Sequence, residues 1–311
     1  MIIKAPIDLE LTQNSGQTSQ PPWKLDNNIY SDVVVADNKA VLFQVKQKEN
    51  NLDFNFIGDI SNKEATKKIK TIFDLDFNLN KFYKYLNNQP ELADMTNFCR
   101  DLRLFLAKDK FECVISSVCS ANNSIVRWTK SIDDIKKSWG NKYTYSEKDY
   151  FTFPDVSDFK NIYCDDVEEF ECCSNLNNPG ECINNLKSCG VGYRAPYMKK
   201  ASEIFTLEMD LDDISKMSYD EAFDTMLKVP GVGPKVADCI LLYGFNFRQA
   251  FPTDVWIKRI VSYLYFDGKD INVSKIREFG MEEFGDYAGY VQLYLFHYAR
   301  MSGLMKKLKG T

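Results

Sequence analysis

The sequence lacks most features that mark secreted, membrane or fibrous proteins. No apolar run approaches the roughly 18 residues of a membrane span, and residues 1–6 (MIIKAP) lack the apolar core and cleavage site of a signal peptide. Nine cysteines among 311 residues are an odd number without the density of a disulfide framework, so we expect reduced thiols. These absences predict an intracellular protein that does not enter a membrane.

Histidine is also nearly absent, since His297 is the only one in the chain. Mechanisms in which histidine side chains transfer protons are therefore disfavoured. For His297 itself we favour a packed position on the last helix. Chemistry in this protein has to come from other side chains.

Charge does not exclude a polyanionic partner, although the net charge is −5. Acidic residues are concentrated between Asp155 and Cys182, where eight acids face one lysine, and the rest of the chain carries a net charge of about +2. Hydrophobic residues make up 44% and aromatic residues 14%, enough for one large core or two to three ordinary domains. Nucleic acid stays possible as a partner.

Hydrophobic periodicity predicts an α+β protein with a small N-terminal antiparallel sheet packed on a larger helical region. Up to about residue 80 the sequence reads as strands: residues 33–36 and 40–47 form a hairpin around Asp37 and Asn38, and residues 52–56 alternate apolar with polar side chains. Helical periodicity follows in eight stretches, at residues 91–106, 109–119, 124–138, 196–207, 219–228, 235–244, 254–265 and 287–302. We predict domains at 1–85 and 86–311.

The least regular segment is an acidic insertion at about residues 155–185. It contains four thiols, Cys164, Cys172, Cys173 and Cys182. Their spacing lacks the paired C-x2-4-C geometry of tetrahedral zinc sites. A loop with incidental thiols is therefore favoured over a zinc site, and we predict no metal.

The most informative stretch is residues 227–239 (LKVPGVGPKVADC). A helix from Tyr219 ends near Pro230, the glycines Gly231 and Gly233 permit positive φ in a tight turn, and Pro234 suits the first position of a new helix. This pattern predicts a helix-hairpin-helix at residues 219–244, whose turn presents backbone N–H groups to a phosphate without reading sequence. A plain turn between two helices is the alternative.

Lys235 lies in the first turn of the second hairpin helix, where the helix dipole disfavours a cation. That field, together with burial, favours the neutral amine, which is a nucleophile. A solvated lysine that contacts phosphate remains the alternative. Downstream, Asp254 follows a loop long enough to bring it back beside Lys235, and its carboxylate could stabilise positive charge on a sugar ring. An N-cap alone is the alternative for Asp254.

Four segments, in this order, resemble the 8-oxoguanine DNA glycosylases of the helix-hairpin-helix superfamily. They are residues 120–127 (SANNSIVR), 190–197 (GVGYRAPY), 230–239 (PGVGPKVADC) and 292–296 (QLYLF). The resemblance extends from about Leu9 to Arg300. It implies a bifunctional enzyme in which Lys235 attacks C1′ of the damaged nucleotide and expels the base, then forms a Schiff base that permits β-elimination, while Asp254 supports the transition state.

The resemblance also implies how DNA is held while the nucleotide is flipped out. Asn122 would fill the gap in the stack, Tyr193 would open the neighbouring base step, and Arg127 would hold the orphaned cytosine. Arg194, beside Tyr193, and the hairpin glycines are assigned to DNA contacts as well. Without the resemblance, a helix cap, a core or surface aromatic residue and a solvated arginine would be favoured for Asn122, Tyr193 and Arg127.

Base recognition is implied for four further residues. Cys239 lies four residues after Lys235, and Phe296 lies four after Gln292, so each pair shares one helix face. In the family the cysteine and phenylalanine sandwich the purine and the glutamine binds its Watson–Crick edge; ordinary core positions are the alternative. Gly16 resembles the residue whose carbonyl accepts the N7 hydrogen of oxidised guanine, which guanine lacks.

We therefore expect a monomer that binds duplex DNA containing an oxidised purine opposite cytosine, without a cofactor. Thymine-glycol enzymes with a C-terminal iron–sulfur loop are excluded because no cysteine follows Cys239. An abasic-site lyase or a glycosylase for another oxidised purine is the next alternative. A helix-hairpin-helix module that binds duplex DNA without catalysis is the alternative from a different class.

Overall fold

The N-terminal part of the molecule is built on a five-stranded antiparallel sheet. The computed structural model describes residues 1–36, 39–49, 51–165 and 184–308. The sheet has the order β1-β5-β4-β3-β2, and a separate hairpin pairs β6 with β7. The strands are β1 Ile2–Ile3, β2 Lys24–Asp26, β3 Ile29–Ala36, β4 Lys39–Lys48, β5 Asn51–Ile57, β6 Lys142–Tyr145 and β7 Lys148–Phe151.

The strand prediction for residues 33–56 is confirmed. Ala36 pairs with Lys39 at the end of the β3–β4 hairpin, although the turn residues Asp37 and Asn38 lie outside the described residues. Strand β5 pairs with β4 and places Phe54 opposite Val45. The β6–β7 hairpin was not predicted; Tyr150 packs with Val33 and Leu42 of the main sheet.

Helices make up most of the rest of the described chain. They are α1 Leu9–Asn14, α2 Asn62–Ile72, α3 Leu79–Asn87, α4 Met95–Phe98, α5 Lys110–Ser120, α6 Ile125–Trp139, α7 Val156–Phe159, α8 Ala195–Leu207, α9 Leu211–Ile214, α10 Tyr219–Leu227, α11 Pro234–Phe245, α12 Val255–Tyr265, α13 Val273–Phe284, α14 Ala288–Met301 and α15 Leu304–Leu308. Seven of the eight predicted helical stretches are confirmed, each end within one residue. No helix among the described residues is long and apolar enough to cross a bilayer.

The eighth stretch, residues 91–106, is predicted wrongly, because only Met95–Phe98 forms a helix. Asp101 has φ +61° and interrupts helical backbone. Beyond it, Leu104 and Leu106 belong to the helical core while Phe105 belongs to the sheet core. The apolar residues of this segment therefore face the two cores alternately. Their spacing in the sequence resembles that of a helix, although the backbone is not helical.

The prediction of strands up to residue 80 is also wrong at Leu9–Asn14, which forms helix α1, and beyond Ile57. Helix α2 begins at Asn62 with a capping box, in which the Glu64 N–H donates to the Ser61 hydroxyl and the Glu64 carboxylate accepts from the Ser61 N–H. Helix α3 follows, and α13 was likewise not predicted. The Ser-x-x-Glu spacing was a readable signal for α2.

Besides the small Val33–Leu42–Tyr150 cluster, two large buried clusters among the described residues hold the fold together. One lies under the sheet and includes Trp23, Phe43 and Phe73. The other fills the helical region from Leu79 onward. The predicted domain boundary near residue 85 stays a prediction.

Candidate active site and nucleic-acid interface

The hairpin turn between α10 and α11 exposes backbone because its apolar side chains point inward. Val229 and Val232 are buried in the helical core. Gly231 has φ +81°, and a Cβ atom there would lie 2.7 Å from Cγ of Tyr197. Both the backbone conformation and the contact with Tyr197 therefore require glycine at this position.

Gly233 corrects one sequence expectation. Its φ of −92° and ψ of 179° are extended backbone, so the expectation of positive φ is wrong here. Gly233 is the N-cap of α11, Pro234 follows at the first helical position, and no described atom lies within 4 Å of a built Cβ. Since the first N–H groups of a helix have no intrahelical acceptor, this end of α11 can receive an anion.

A cavity of about 70 Å³ lies beside the start of α11. Its walls include all six residues predicted to act on the sugar or the base, namely Gly16, Lys235, Cys239, Asp254, Gln292 and Phe296. They come from the loop after α1, from α11, from the start of α12 and from α14. The fold thus gathers residues that are up to 280 positions apart in the sequence.

Lys235 is the second residue of α11 and is half-buried. It lines the small cavity and also an adjoining cleft of about 970 Å³. Asp254 lines both spaces too. The amine and the carboxylate are therefore presented together to any group that enters from the cleft.

Asp254 is the N-cap of α12. Its Oδ1 accepts hydrogen bonds from the backbone N–H groups of Trp256, at 2.9 Å, and Ile257, at 2.8 Å. The capping role considered from the sequence is thus confirmed. Neither bond uses Oδ2, so the same side chain can fix α12 with one oxygen and act on a ligand with the other.

Cys239 lies four residues beyond Lys235 and is buried. Burial raises the pKa of its thiol; Lys235 opposes this rise, and Asp238 and Asp254 add to it. The thiol is therefore neutral at physiological pH and offers a soft, uncharged surface to the cavity.

Gln292 and Phe296 approach the cavity from α14. The Gln292 side-chain oxygen is buried and has no hydrogen-bond donor among the described residues. Phe296 is half-buried, and the guanidinium of Arg300 lies 5.4 Å from its ring centroid. A buried acceptor without a donor costs free energy, so the Gln292 oxygen is suited to an N–H group of a ligand. His297, next to Phe296, is buried in α14 as expected.

Gly16 forms part of the cavity wall opposite α11. Its φ is +84°, and a Cβ atom would lie 2.4 Å from Cδ1 of Ile125 at the start of α6. Glycine is thus required by backbone conformation and by packing.

Three of the residues assigned to DNA contacts are exposed on the surface. Asn122 has φ +50° in the turn between α5 and α6 and lines the large cleft with Lys235. Arg127 lies in the first turn of α6, and the Tyr193 side chain is 58% exposed. All three side chains are therefore accessible to a partner from solvent.

Arg194, which was assigned to DNA contacts, is buried, with only 8% of its surface exposed. Its Nε and Nη2 donate to the carbonyl of Ala121 at 2.8 and 2.6 Å, and Nη2 also reaches the Asn122 carbonyl at 3.1 Å. Its guanidinium carbon lies 4.5 Å from the Tyr193 ring centroid. In this structure Arg194 joins the loop that carries Tyr193 to the loop that carries Asn122.

Sequence reasoning missed polar residues that support the cavity. Thr18 lines it, and the Thr18 and Ser117 hydroxyl oxygens lie 2.9 Å apart. Gln17 lines it as well and bonds to residues 103 and 105. These partners are 86 to 99 positions away, so no local pattern could reveal them.

The cysteines of the chain bear on the prediction that no metal is bound. Cys172, Cys173 and Cys182 of the acidic insertion lie outside the described residues. Cys99, Cys113, Cys119 and Cys239 are buried free thiols, and Cys164 is a half-buried one. Within the described part of the chain, no group of three His, Cys, Asp or Glu side chains is placed to hold a metal ion.

Family models match almost the whole chain. A model described as 8-oxoguanine DNA glycosylase, N-terminal domain, matches residues 1–114, and the model for HhH-GPD superfamily base excision DNA repair proteins matches residues 115–285. The chain belongs to the HhH-GPD superfamily. The membership predicted from four sequence segments is confirmed, and so is the α+β fold.

Similar proteins cover the HhH-GPD chain from end to end. It is 44% identical to a probable N-glycosylase/DNA lyase of Methanothermobacter thermautotrophicus, over 98% of this chain and 97% of that protein. It resembles the structure of MBOgg1 with a low-affinity DNA ligand, at 29% identity and a TM-score of 0.79, over 97% of this chain and 96% of that one. It also resembles the Clostridium acetobutylicum 8-oxoguanine glycosylase/lyase bound to duplex DNA with cytosine opposite 8-oxoguanine, at 29% identity and a TM-score of 0.78, over 97% and 98% of the two chains.

Proposed function

We propose that this chain is a base-excision repair enzyme that removes 8-oxoguanine from duplex DNA and then cleaves the strand at the resulting abasic site. One observation carries the proposal: Lys235 and Asp254 line a single cavity together with Gly16, Cys239, Gln292 and Phe296. A protein that only binds duplex DNA has no use for such a cavity. The named activities of its relatives, N-glycosylase/DNA lyase and 8-oxoguanine glycosylase/lyase, support the same assignment.

Access to the cavity requires that the damaged nucleotide leave the helix, because its C1′ atom is enclosed in a stacked duplex. The cleft of about 970 Å³ leads from Asn122 to Lys235 and provides the path. We assign Asn122 to the space left in the stack, Tyr193 to the neighbouring base step and Arg127 to the unpaired cytosine. Backbone N–H groups at Gly231 and Gly233 would hold a phosphate and fix the register.

Lys235 supplies the nucleophile. The Nζ lone pair forms a bond to C1′ while the C1′–N9 bond breaks, and the base leaves with the bonding electrons and takes up a proton. Loss of the amine proton and opening of the sugar ring give a protonated Schiff base. This iminium accepts the electrons released when a C2′ proton is lost, and the 3′ phosphate leaves in the β-elimination that cuts the strand.

Asp254 acts before that bond is complete. Positive charge develops on the sugar ring as the base departs, and a fixed carboxylate nearby stabilises it without reorganisation. The α12 N–H groups already hold its Oδ1, which fixes the orientation of the side chain.

Recognition of the oxidised base follows from the cavity walls. The buried Gln292 oxygen can accept a hydrogen bond from the Watson–Crick edge, while Cys239 and Phe296 enclose the two ring faces. The carbonyl of Gly16 can accept from the N7 hydrogen of 8-oxoguanine, whereas guanine presents a lone pair there and is repelled. We also propose that the enzyme acts as a monomer, since one chain contains the complete set.

The test is a panel of duplexes that carry 8-oxoguanine, another oxidised purine or a preformed abasic site, each opposite all four bases. We expect single-turnover base release to be fastest for 8-oxoguanine opposite cytosine, followed by strand cleavage. Faster release of another oxidised purine, or cleavage of abasic sites without base release, would replace this proposal with the corresponding alternative. Binding without any reaction would contradict it altogether.

A further inference from the structure

We propose that Gln17 is a positioning residue that holds the Gly16 carbonyl at the depth needed to distinguish an oxidised purine from guanine. The inference rests on the proposed function and adds a specificity determinant to it. Gln17 follows Gly16 directly and is buried, with only 4% of its surface exposed.

The Gln17 side-chain amide bonds to the backbone of residues 103–105 as a neighbouring strand would. These residues lie between the sheet core and the helical core. The Gln17 Nε2 donates to the Arg103 carbonyl at 2.9 Å, and its Oε1 accepts from the Phe105 N–H at 2.8 Å. The same Nε2 also donates to the Ser15 hydroxyl at 2.9 Å. One amide thus joins both sides of Gly16 to a distant backbone segment.

That segment is itself immobilised, so the anchor is firm. The Arg103 side chain is buried, and it donates to the carbonyls of Pro6 at 2.6 Å and Asp74 at 2.6 Å. The Arg103 N–H donates to the Thr12 hydroxyl at 3.3 Å, at the end of α1. The loop that carries Gly16 is therefore fixed by buried hydrogen bonds to residues 102–106 rather than by regular secondary structure.

Gly16 needs such support because its own backbone is held weakly. No donor among the described residues binds its carbonyl oxygen, and glycine has the widest range of φ and ψ. Ile125 stands where a Cβ atom of residue 16 would be. Without Gln17, the remaining hydrogen bonds near Gly16 are the one from the Ser15 hydroxyl to the Thr12 carbonyl, a long one from Arg300 to the Ser15 carbonyl at 3.5 Å and, two residues further on, the one between the Thr18 and Ser117 hydroxyls.

Discrimination between 8-oxoguanine and guanine at N7 depends on the position of the Gly16 carbonyl more than the later strand cleavage does. The hydrogen bond weakens steeply with distance and angle, and so does the repulsion that rejects guanine. A displaced carbonyl therefore loses affinity for 8-oxoguanine and accepts guanine more readily. Cleavage of a preformed abasic site involves no base, so it depends on Lys235 and Asp254 but not on the Gly16 carbonyl.

Gln17→Met removes the amide at nearly constant side-chain volume. In a Lys235→Gln background, which prevents reaction, dissociation constants are measured for two duplexes that differ only in 8-oxoguanine or guanine opposite cytosine. We expect the ratio of the two constants to fall by about tenfold, the effect of one misplaced hydrogen bond. A ratio within about twofold of that without Gln17→Met would overturn the inference.

Gln20→Met is the matched control. Gln20 is equally buried, its Nε2 donates to the Leu106 carbonyl at 2.8 Å and its Oε1 accepts from the Trp23 indole at 3.0 Å, but it lies four residues from Gly16. We expect Gln20→Met to lower the stability of the protein as Gln17→Met does, but to leave the ratio of the two dissociation constants unchanged. An equal fall in both variants would assign the effect to general loosening and contradict a specific role for Gln17.

A second readout uses the active lysine. With Lys235 present, Gln17→Met should release 8-oxoguanine about tenfold more slowly while it cleaves a preformed abasic site within about threefold of the unmodified rate. Should Gln17→Met fold poorly, Gln17→Asn keeps a neutral amide but shortens its reach to residues 103 and 105, and an intermediate ratio is expected. If the unmodified protein shows no preference for 8-oxoguanine, the proposed function fails; if it does and Gln17→Met keeps that preference, only this inference fails.

Discussion

The proposed function gives Asp254 a second task besides capping α12, and a single substitution can separate the two. As an N-cap it needs an oxygen that accepts from Trp256 and Ile257, and asparagine supplies that oxygen nearly as well as aspartate. As an electrostatic partner it needs negative charge, which asparagine lacks. We therefore expect Asp254→Asn to keep its melting temperature and its affinity for the damaged duplex, while single-turnover base release slows by roughly 10²- to 10³-fold.

The assignment of charge stabilisation to Asp254 depends on that contrast. Base release at the unmodified rate would contradict it. Equal losses of melting temperature and of rate would instead mean that the side chain acts mainly as a cap.

Single residues could be selected from the sequence where their chemistry is unusual for their position. A lysine in a first helical turn and an aspartate after Pro-Thr could both be selected from the sequence, and the fold brings them to one cavity. Residues that act through contacts distant in sequence were not identified. Gln17 is an ordinary polar residue until the backbone of residues 103–105 lies beside it. Arg194 could be assigned to DNA by resemblance, but its bonds to the Ala121 carbonyl appear only in three dimensions.

Among the structural elements, the hairpin offers a matched pair of glycines. Gly231 has φ +81° and no room for a methyl group against Tyr197, whereas Gly233 has φ −92° and open space. We expect Gly231→Ala to lower the free energy of unfolding by about 2 kcal/mol or more, from backbone strain plus displacement of the tyrosine. Gly233→Ala should cost less than about 1 kcal/mol, as a weaker N-cap. Urea denaturation of both variants measures the difference.

Equal effects of the two hairpin substitutions would contradict the geometry of the turn. A fall in DNA affinity for Gly233→Ala at unchanged stability is compatible with it, since an added methyl group would stand between the exposed N–H groups and a phosphate.

Elements could be predicted where a segment packs into one core only. Helices α6, α8, α10 and α12 bury part of their surface, and α5, α11 and α14 are buried on nearly all sides, but all seven belong to the same helical core, and their limits follow from the sequence within one residue. Residues 102–106 could not be assigned correctly, because they contact a core on each side. Helix α2 was missed for a different reason. The strands rich in β-branched residues before it favoured a strand prediction over the Ser61–Glu64 capping-box signal.

Considered as a whole, the molecule depends on a buried charge cluster between the sheet and the helices. Asp32 of β3 contacts the ammonium group of Lys108 and lies 3.3 Å from that of Lys136 on α6. Glu112 of α5 lies 3.9 Å from each lysine. All four side chains are nearly inaccessible, so removal of one charge leaves the others without compensation.

The pKa of Asp32 gives this cluster a defined pH dependence. Burial opposes ionisation, but Lys108 and Lys136 outweigh it, and the pKa of Asp32 lies below its ordinary value. A lowered carboxyl pKa stabilises the fold above the unfolded-state pKa of about 3.9, and this contribution is lost as the pH falls through the folded-state value. We expect Asp32→Asn to lower the free energy of unfolding by about 3 to 5 kcal/mol at pH 7, with a difference from the unmodified protein that shrinks below about pH 4.

Asp59→Asn is the control for that experiment. Asp59 pairs with Lys39 at 2.6 Å, but the carboxylate is 92% exposed, so we expect less than about 1 kcal/mol. A small effect of Asp32→Asn, or a difference that grows in acid, would mean that the cluster does not join the two parts of the molecule.

The relation between sheet and helices is the part of the fold that the sequence could not supply. Composition and periodicity predicted both parts and their order, but not the ion cluster between Asp32 and residues 76 to 104 positions away. Nor did they predict that the loop around Gly16 would reach the start of α11. The site exists only because these two parts meet.

The central claim is that the Lys235 amine forms a covalent bond to the sugar of a damaged nucleotide. Borohydride reduction during reaction tests it most directly, because the hydride converts the Schiff base into a stable protein–DNA adduct. We predict an adduct with a duplex that carries 8-oxoguanine opposite cytosine, the same adduct for Lys228→Gln, whose lysine is exposed on the same hairpin, and none for Lys235→Gln, which still binds the duplex. An adduct that persists in Lys235→Gln, or an unmodified protein that binds this duplex and never forms one, would contradict the claim.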